Sequence, residues 1–458
     1  MWSILYYLRN DPEKLRWSQR VRGADVSLVD EALKLDREWR RVKAEIDKLR
    51  HERNVLSSKI GRAPPEERVK LIGEARRLRE LLEMRERELR ELEARRNEVL
   101  LRIPNVLHET VPKGLSEEDN VPIRFWGKPR VWRGHLDRFL EQVKGFDVEY
   151  EVIEWRPVGH ADLGEKLGLV DTRSAAMVAG SRFYYLFDDL VWLDLALIMY
   201  ALDFLAKEGF RIVEPPLMLR RRPLEGVISF LDFEDMIYKV EGEDLYLIGT
   251  AEHPLAALHM GDTIPRSELP LLYAGISPCF RKEAGAHGKD TKGIFRVHQF
   301  NKVEQYVYCL PDESWEWHER LIANAEKLFQ GLGIPYRVVN VCSGDLGDVA
   351  AKKYDLEAWM PAQGKFREMG SCSNTTDYQS YRLEIRYAKA RGAPAEGYVH
   401  TLNSTAIATS RTITAILENY QEPDGTVRIP KVLRKYLEIF SEAPRDYIEP
   451  LKRPVKEK

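Results

Sequence analysis

The sequence predicts an α+β chain in which a long antiparallel pair of helices precedes an antiparallel-sheet domain. Three observations carry this expectation. Two heptad seams run through residues 28–60 and 71–103, with a proline-bearing turn between them. One mostly apolar stretch, residues 188–207, reads as a buried helix. After it come strand-like runs whose connections are too short for crossover helices, which favours antiparallel pairing.

Steps of four and three from Leu28 visit Leu28, Ala32, Leu35, Trp39, Val42, Ile46, Leu49, Arg53, Leu56 and Ile60, nine of ten apolar. The same steps from Leu71 visit Ala75, Leu78, Leu82, Arg85, Leu89, Leu92, Arg96, Val99 and Ile103, so eight of those ten are apolar. A repeat of this kind is the seam along which two helices pack. Between the seams, Gly61 suits the end of the first helix, and Pro64 and Pro65 suit a turn into the second. A turn this short makes the helices antiparallel neighbours. At ~1.5 Å per residue, a helix of about 33 residues reaches about 50 Å. Pro104 closes the arm, giving an N-terminal domain over residues 1–110 and a second domain over 111–458.

So thin an arm must expose much of its surface. Residues 31–103 hold 21 Lys/Arg against 16 Asp/Glu, a balance of +5 in a chain whose net charge is −2. A solvated helix pair laced with i,i+4 ion pairs accounts for the charges as well as a probe for a polyanion does. The excess of base tilts the balance towards phosphate backbones.

From Pro104 to Asp171 the chain is broken by Pro112, Pro122, Pro129 and Pro157 and reads as a connector with short strands. Residues 185–187 read as a strand, and the apolar helix that follows is ended by Gly209. Strand-like runs are Leu245–Ile248, Leu271–Ile276, Ile294–Phe300, Val303–Leu310, Tyr336–Val341 and Tyr398–His400, interrupted by helices over Ser314–Gln330 and Ser404–Tyr420.

At 458 residues, 44% of them hydrophobic, the chain is long and apolar enough for two or three cored domains, which excludes a disordered protein. No basic leader and no run of ~18 apolar residues is present, so a soluble intracellular protein with no membrane partner is expected. The Arg- and Glu-rich, Gln-poor balance leans towards a thermophile. Cys279, Cys309, Cys342 and Cys372 form no CxxC pair, so reduced, buried thiols are expected and a cysteine-based zinc site is not.

The stretch Gly285-Ala286-His287-Gly288-Lys289-Asp290 looks like a phosphate-binding loop, but its glycines are too close for G-x-x-x-x-G-K-[ST] and a strand-like run follows where a helix is needed. The alternative is a strand ending at Glu283, a charged loop from Ala284 to Gly293, and a returning strand from Ile294 to Tyr308 with Arg296, His298, Phe300, Lys302 and Glu304 at alternate positions. One face of such a sheet can hold a highly charged small molecule.

Arg281-x-Glu283, a loop, then F-R-V-H-Q-F-N-K-V-E-Q-Y resembles motif 2 of the class II aminoacyl-tRNA synthetases in its seryl-tRNA synthetase form. Thr250-Ala251-Glu252 is similar to that family's T-x-E loop, R-E-M-G-S-C-S-N from Arg367 to its metal and ATP segment, and His400 to Thr412 to motif 3. The helical hairpin is similar to its tRNA-binding arm. The resemblance spans nearly the whole chain and implies a class II synthetase catalytic domain with an antiparallel sheet. It also implies an ATP-dependent ligase that forms seryl-adenylate from L-serine and ATP. The seryl group then passes to a terminal ribose hydroxyl of tRNA(Ser), with tRNA(Sec) a possible second acceptor.

The resemblance also implies roles. Arg281 would hold the α-phosphate, Glu283 would read the adenine amino group, and Phe300 and Arg411 would stack on its two faces, with Val297 close by. Glu368 and Ser371 would coordinate Mg²⁺ on the ATP phosphates. Thr250, Glu252, Glu304, Asn403 and Thr405 would surround serine, together with Arg281. His287, Lys289 and Lys292 would meet the tRNA acceptor end, and Pro215-Pro216 stands where the family has the motif 1 proline of a homodimer interface. A cytoplasmic enzyme follows. Single salt bridges and ordinary core packing would explain Arg281 or Phe300 alone; the four motifs in order do not reduce to that.

Three other readings compete. A paralogue that loads a small amino acid onto a carrier protein would have no use for the intact arm. A silent, synthetase-like RNA-binding protein should show damage at Arg281, Glu283, Glu368 or Arg411, and all four are present. A plain coiled-coil scaffold leaves the catalytic motifs unexplained.

Overall fold

A computed structural model describes residues 3–229, 236–284 and 290–449. The chain falls into two compact units, residues 1–106 and 107–458.

The first unit holds two short helices, α1 (Ser3–Asn10) and α2 (Pro12–Arg22), and the long pair α3 (Ser27–Arg62) and α4 (Pro65–Leu101). The expected hairpin is there, with a correction at its turn. Gly61 lies inside the last turn of α3, and Pro65 opens α4 at the position where its missing N–H costs nothing. Leu28, Ala32, Leu35, Val42, Ile46, Leu82 and Val99 of the seams are buried, whereas Leu56, Leu71 and Leu78 near the turn are only half-buried. The break in the second seam at Arg96 has a specific cause. Asp36 is buried and receives Arg9 at 2.7 Å, Arg40 at 3.1 Å and Arg96 at 3.4 Å. The Arg96 guanidinium also lies 4.2 Å from the Trp39 ring centroid, so the charge inside the seam is paired on one side and stacked on the other.

The second unit is built on an eight-stranded sheet whose strands are β1 (Val121–Trp126), β2 (Arg211–Val213), β3 (Leu271–Phe280), β4 (Gln299–Cys309), β5 (Tyr336–Asn340), β6 (Lys352–Met360), β7 (Lys365–Thr376) and β8 (His400–Ala408). Their spatial order is β1-β5-β6-β7-β8-β4-β3-β2, antiparallel throughout except for the parallel pair β3·β2 at one edge. Helices α5 (Asp189–Lys207), α7 (Ser314–Leu332) and α8 (Thr409–Asn419) cover one face. Leu197, Val303, Leu321, Leu356, Ile407 and Ile416 meet there in the main core. The short helix α6 (Glu252–Ala257) lies against the other face, and Gly275 on β3 admits it, because a Cβ at that glycine would collide with Ala251 and Leu255. Among the described residues no helix is long and apolar enough to cross a membrane.

Three sequence expectations change here. Residues 404–408 are strand, not helix: β8 is a central strand buried on both faces between β4 and β7, and only from Thr409 does the chain turn helical. Residues 294–298 are not strand, because Ile294, Phe295 and Val297 are all buried in the core instead of alternating across a sheet. Their backbone groups bond to Arg182 and Arg281 outside any ladder. The β6–β7 hairpin adds two strands that the strand-like runs of the sequence do not include.

Candidate active site

Strand alternation sorts each strand into a core face and an open face. On β6, Tyr354 and Leu356 enter the core, so Lys353, Asp355 and Glu357 take the other side. On β7, Met369 and Cys372 both enter the core although they are three residues apart. A register shift opposite Leu356/Glu357 makes this possible. The same bulge brings Glu368 onto the face that carries Ser371 and Ser373; on a regular strand Glu368 and Ser371 would point to opposite sides. On β4 the open face carries Phe300, Lys302 and Glu304, and on β8 Asn403 and Thr405.

A cavity of about 270 Å³ opens over this face, lined by Thr250, Glu252, His253, Arg281, Lys353, Ser371, Ser373 and Asn403 and by residues 346–350. Its inner wall is a closed polar network. The Asn403 amide donates to Glu252 Oε2 at 3.0 Å and to Glu304 Oε1 at 3.2 Å, so one amide spans both carboxylates. Thr250 Oγ1 donates to Glu304 Oε2 at 3.3 Å. Gln379 Nε2 donates to Glu252 Oε1 at 2.9 Å, and the same Gln379 accepts from Tyr306 and Thr401 hydroxyls. Lys302 pairs with the fully buried Glu304. The carboxylates are therefore held in place before any ligand arrives, which is the condition for strong recognition of a small polar molecule.

Arg281 joins this pocket to a cationic side. Its Nε donates to the Gly249 carbonyl at 3.0 Å and its guanidinium lies 5.5 Å from the Phe300 ring centroid. Gly249 is held from the other direction by His253 Nδ1, which accepts from its N–H at 3.3 Å. Beyond Phe300, Arg296 donates to Glu283 at 3.1 Å. Arg411 contacts Glu368 twice, at its carboxylate (3.2 Å) and its carbonyl (3.1 Å), and lies 5.2 Å from the Phe295 ring centroid.

Burial, with the nearby Glu304 charge, pushes the Glu252 carboxyl up to about 7. Burial, reinforced by Arg281 and Lys302, lowers His253 to about 3, so this imidazole stays neutral and serves as an acceptor. For Glu368, burial alone would raise the carboxyl, but Arg411, Lys353 and Arg281 outweigh it and hold it below the usual range. Asp355 is driven the other way, well above its ordinary value, chiefly by burial.

Thr250, Glu252, Arg281, Ser371 and Asn403 thus meet at one cavity, with Glu304 behind its wall and Glu283, Phe300, Glu368 and Arg411 on the adjoining cationic side. Thr405 is buried on the same face, packed beside Gly370. The Val297 side chain is 2% exposed in the core and is not presented to the cavity. Lys292 is exposed, while His287 and Lys289 lie outside the described residues. Arg296 and Lys302 show in the sequence only as alternating charges, and His253, Lys353 and Gln379 belong to no motif. Among the described residues no group of three or more His, Cys, Asp or Glu side chains is arranged to hold a metal ion, and the four cysteines are buried thiols.

Residues 5–107 match the family described as the seryl-tRNA synthetase N-terminal domain, and residues 236–420 match the tRNA synthetase class II core domain (G, H, P, S and T). The chain is 62% identical over 456 residues to the serine–tRNA ligase of Hyperthermus butylicus, with 99% of each chain covered. It also resembles the crystal structure of seryl-tRNA synthetase from Pyrococcus horikoshii complexed with ATP, with a TM-score of 0.92, 57% identity, and 99% of this chain and 100% of that chain covered. The cytoplasmic serine–tRNA ligase of Naegleria fowleri in complex with AMP follows at a TM-score of 0.83 and 40% identity, with 98% of both chains covered.

Proposed function

The chain belongs to the seryl-tRNA synthetases, class II ligases that join serine to tRNA at the expense of ATP, and on that premise we propose how its own residues divide the work. The relatives are ligases over their full length, arm included, and lend no support to a carrier-loading paralogue or a silent RNA-binding protein.

The observation that carries the reading is the Asn403 amide shared between Glu252 and Glu304. Two carboxylates held apart by one amide offer separate acceptors for an ammonium and a hydroxyl, the two groups that distinguish serine from other small metabolites. An analogue without the hydroxyl would forgo its hydrogen bond to this preset polar wall. Thr250 and Thr405 complete the polar wall. Arg281, at the junction of cavity and cationic side, is the group for the serine carboxylate and the α-phosphate as they meet. Its planar fork suits the charge that builds there in an in-line displacement. Glu283 for the adenine amino group, Phe300 and Arg411 for its faces, and the added charge of Arg296 account for the nucleotide. Val297 can contribute only its backbone.

Glu368 and Ser371 are the residues to hold Mg²⁺. A carboxylate and a hydroxyl brought to one face by a bulge are hard oxygen donors. Across the ladder from Ser371, buried Asp355 Oδ1 has no hydrogen-bond partner, an uncompensated acceptor of the kind a cation beside it would satisfy. Mg²⁺ bound there would neutralise the phosphates of ATP.

The arm, 36 and 37 residues long in its two helices and basic in excess, suits backbone and shape recognition of tRNA(Ser); Lys292 adds charge towards the acceptor end. A homodimer fits the exposed Val191 and Leu195 on one side of α5 and Ile212 on the edge strand β2. A solution mass twice that of the chain is expected in sedimentation, and a monomer at all concentrations would remove this part. A cytoplasmic location belongs to the same reading, since charged tRNA is consumed there.

The acid pair makes a pH prediction. Below about 7, Glu252 takes up a proton and no longer offers its negative charge to the serine ammonium. The KM for serine should therefore rise as pH falls from 8 to 6 while that for ATP holds, by up to about tenfold per pH unit below the transition. His253, neutral throughout, does not titrate in that window. In Glu252→Gln the serine KM should be high and flat with pH; a wild-type profile that is itself flat contradicts the assignment.

A further inference from the structure

Residues 290–298 carry Arg296 and lead into Phe300, yet they belong to no strand ladder, so something other than a sheet must fix them. Asp290 begins this segment at a φ of +48°, in the left-handed region where an aspartate is tolerated but must be held. Its holder is Arg367 on β7. Arg367 Nη1 donates to Asp290 Oδ1 at 3.0 Å and Nη2 to Oδ2 at 2.5 Å, a two-pronged fork.

The fork is anchored behind. Arg367 Nη1 also donates to Gln363 Oε1 at 2.7 Å, Gln363 Nε2 donates to Glu418 Oε1 at 3.0 Å, and Glu418, buried on α8, accepts the Ala362 N–H at 3.1 Å. The Arg367 guanidinium lies 3.9 Å from the Phe295 ring centroid, on the ring that also meets Arg411. On the other side Asp290 lies 3.9 Å from Arg296 Nε, an atom with no hydrogen-bond partner, while Arg296 Nη1 holds Glu283. Neither Asp290 nor Arg367 lines the cavity, so any effect on the reaction must pass through their neighbours.

We propose that Asp290 and Arg367 form a clasp that sets the position of Arg296, and through it Glu283, for the nucleotide. They are positioning residues and touch no substrate. The inference rests on the reading that Glu283 and Arg296 face ATP. Its consequence is selective: loosening the clasp disturbs the ATP side and leaves the Glu252–Glu304 pocket, held by Asn403 and Gln379, as it was.

The test measures KM for ATP and for serine separately by pyrophosphate exchange in full-length Asp290→Asn, Arg367→Lys, and the double variant that combines the two. The single variants should raise the ATP KM about tenfold with serine KM unchanged, the scale of one charge-assisted fork, and the double variant should be no worse than either single. A merely structural role would move both KM values together or lower the yield of folded protein. Unchanged ATP KM in both single variants overturns the proposal, as does a double variant whose effect is the product of the two singles. Glu283→Ala serves as the separate control: if it leaves the preference for ATP over GTP intact, the nucleotide reading has failed and the clasp falls with it.

Discussion

Glu368→Ala should lose about three orders of magnitude or more in serine-dependent ATP–pyrophosphate exchange, the scale expected when a preorganised electrostatic group at a phosphoryl centre is removed. Two effects combine in this variant. The carboxylate donor on the open face of β7 disappears, leaving Ser371 without its partner donor. Arg411, which contacts Glu368 at both the side chain and the carbonyl, keeps only the carbonyl contact and gains freedom to swing. The loss should not be recovered by raising Mg²⁺, because Ser371 and buried Asp355 make a weak donor set without the Glu368 carboxylate. Serine affinity, measured without ATP, should be unchanged, since Glu368 is not among the donors and acceptors of the Asn403 network. Near-normal exchange in Glu368→Ala would mean that the cation is held elsewhere.

Removing residues 1–106 separates the two steps. The second unit has its own sheet and core and contains every residue assigned to adenylate formation. Exchange should therefore stay within a few-fold of the full chain, while charging of tRNA(Ser) should drop by roughly a hundredfold or more, since the phosphate contacts of the arm are gone. The residual charging should also lose much of its salt dependence, because fewer counterions are released on binding. Equal loss of both activities would make the helical unit part of the catalytic fold.

The arm was legible in the sequence because a 3.5-residue repeat over ten positions has no other common cause. What periodicity could not supply was the reason for its exceptions. Arg96 breaks the seam pattern because it belongs to an ion cluster around the buried Asp36 that draws on α1, α3 and α4. Residues 404–408 misled for a local reason: their small and apolar side chains suit a helix, and a helix does begin immediately afterwards at Thr409. Tertiary context decides for strand, since both edges of β8 are paired. The β6 segment held a clear alternation, with Lys353, Asp355 and Glu357 between Tyr354, Leu356 and Ala358, but its charges pointed to solvent unless a second covered face was already known.

In the site, the motifs were legible and the contacts between them were not. Glu252, Glu304 and Asn403 could be named from three separate stretches, but the amide that bridges the two carboxylates exists only after β4 and β8 pair. Gln379 belongs to no motif, yet it holds Glu252 at 2.9 Å. Val297 lies in the right stretch with its side chain in the core, a distinction that depends on residues 294–298 leaving the sheet.

The central claim is that the cavity lined by Thr250, Glu252 and Asn403, with Glu304 behind its wall, selects serine. The most direct test is ATP–pyrophosphate exchange without tRNA, run in parallel with serine, threonine, alanine and glycine. Exchange with serine alone, alanine failing for want of the hydroxyl, is the expected result. Equal or faster exchange with alanine or glycine would contradict it, because a pocket with two fixed acceptors could not then be the one that reads the amino acid.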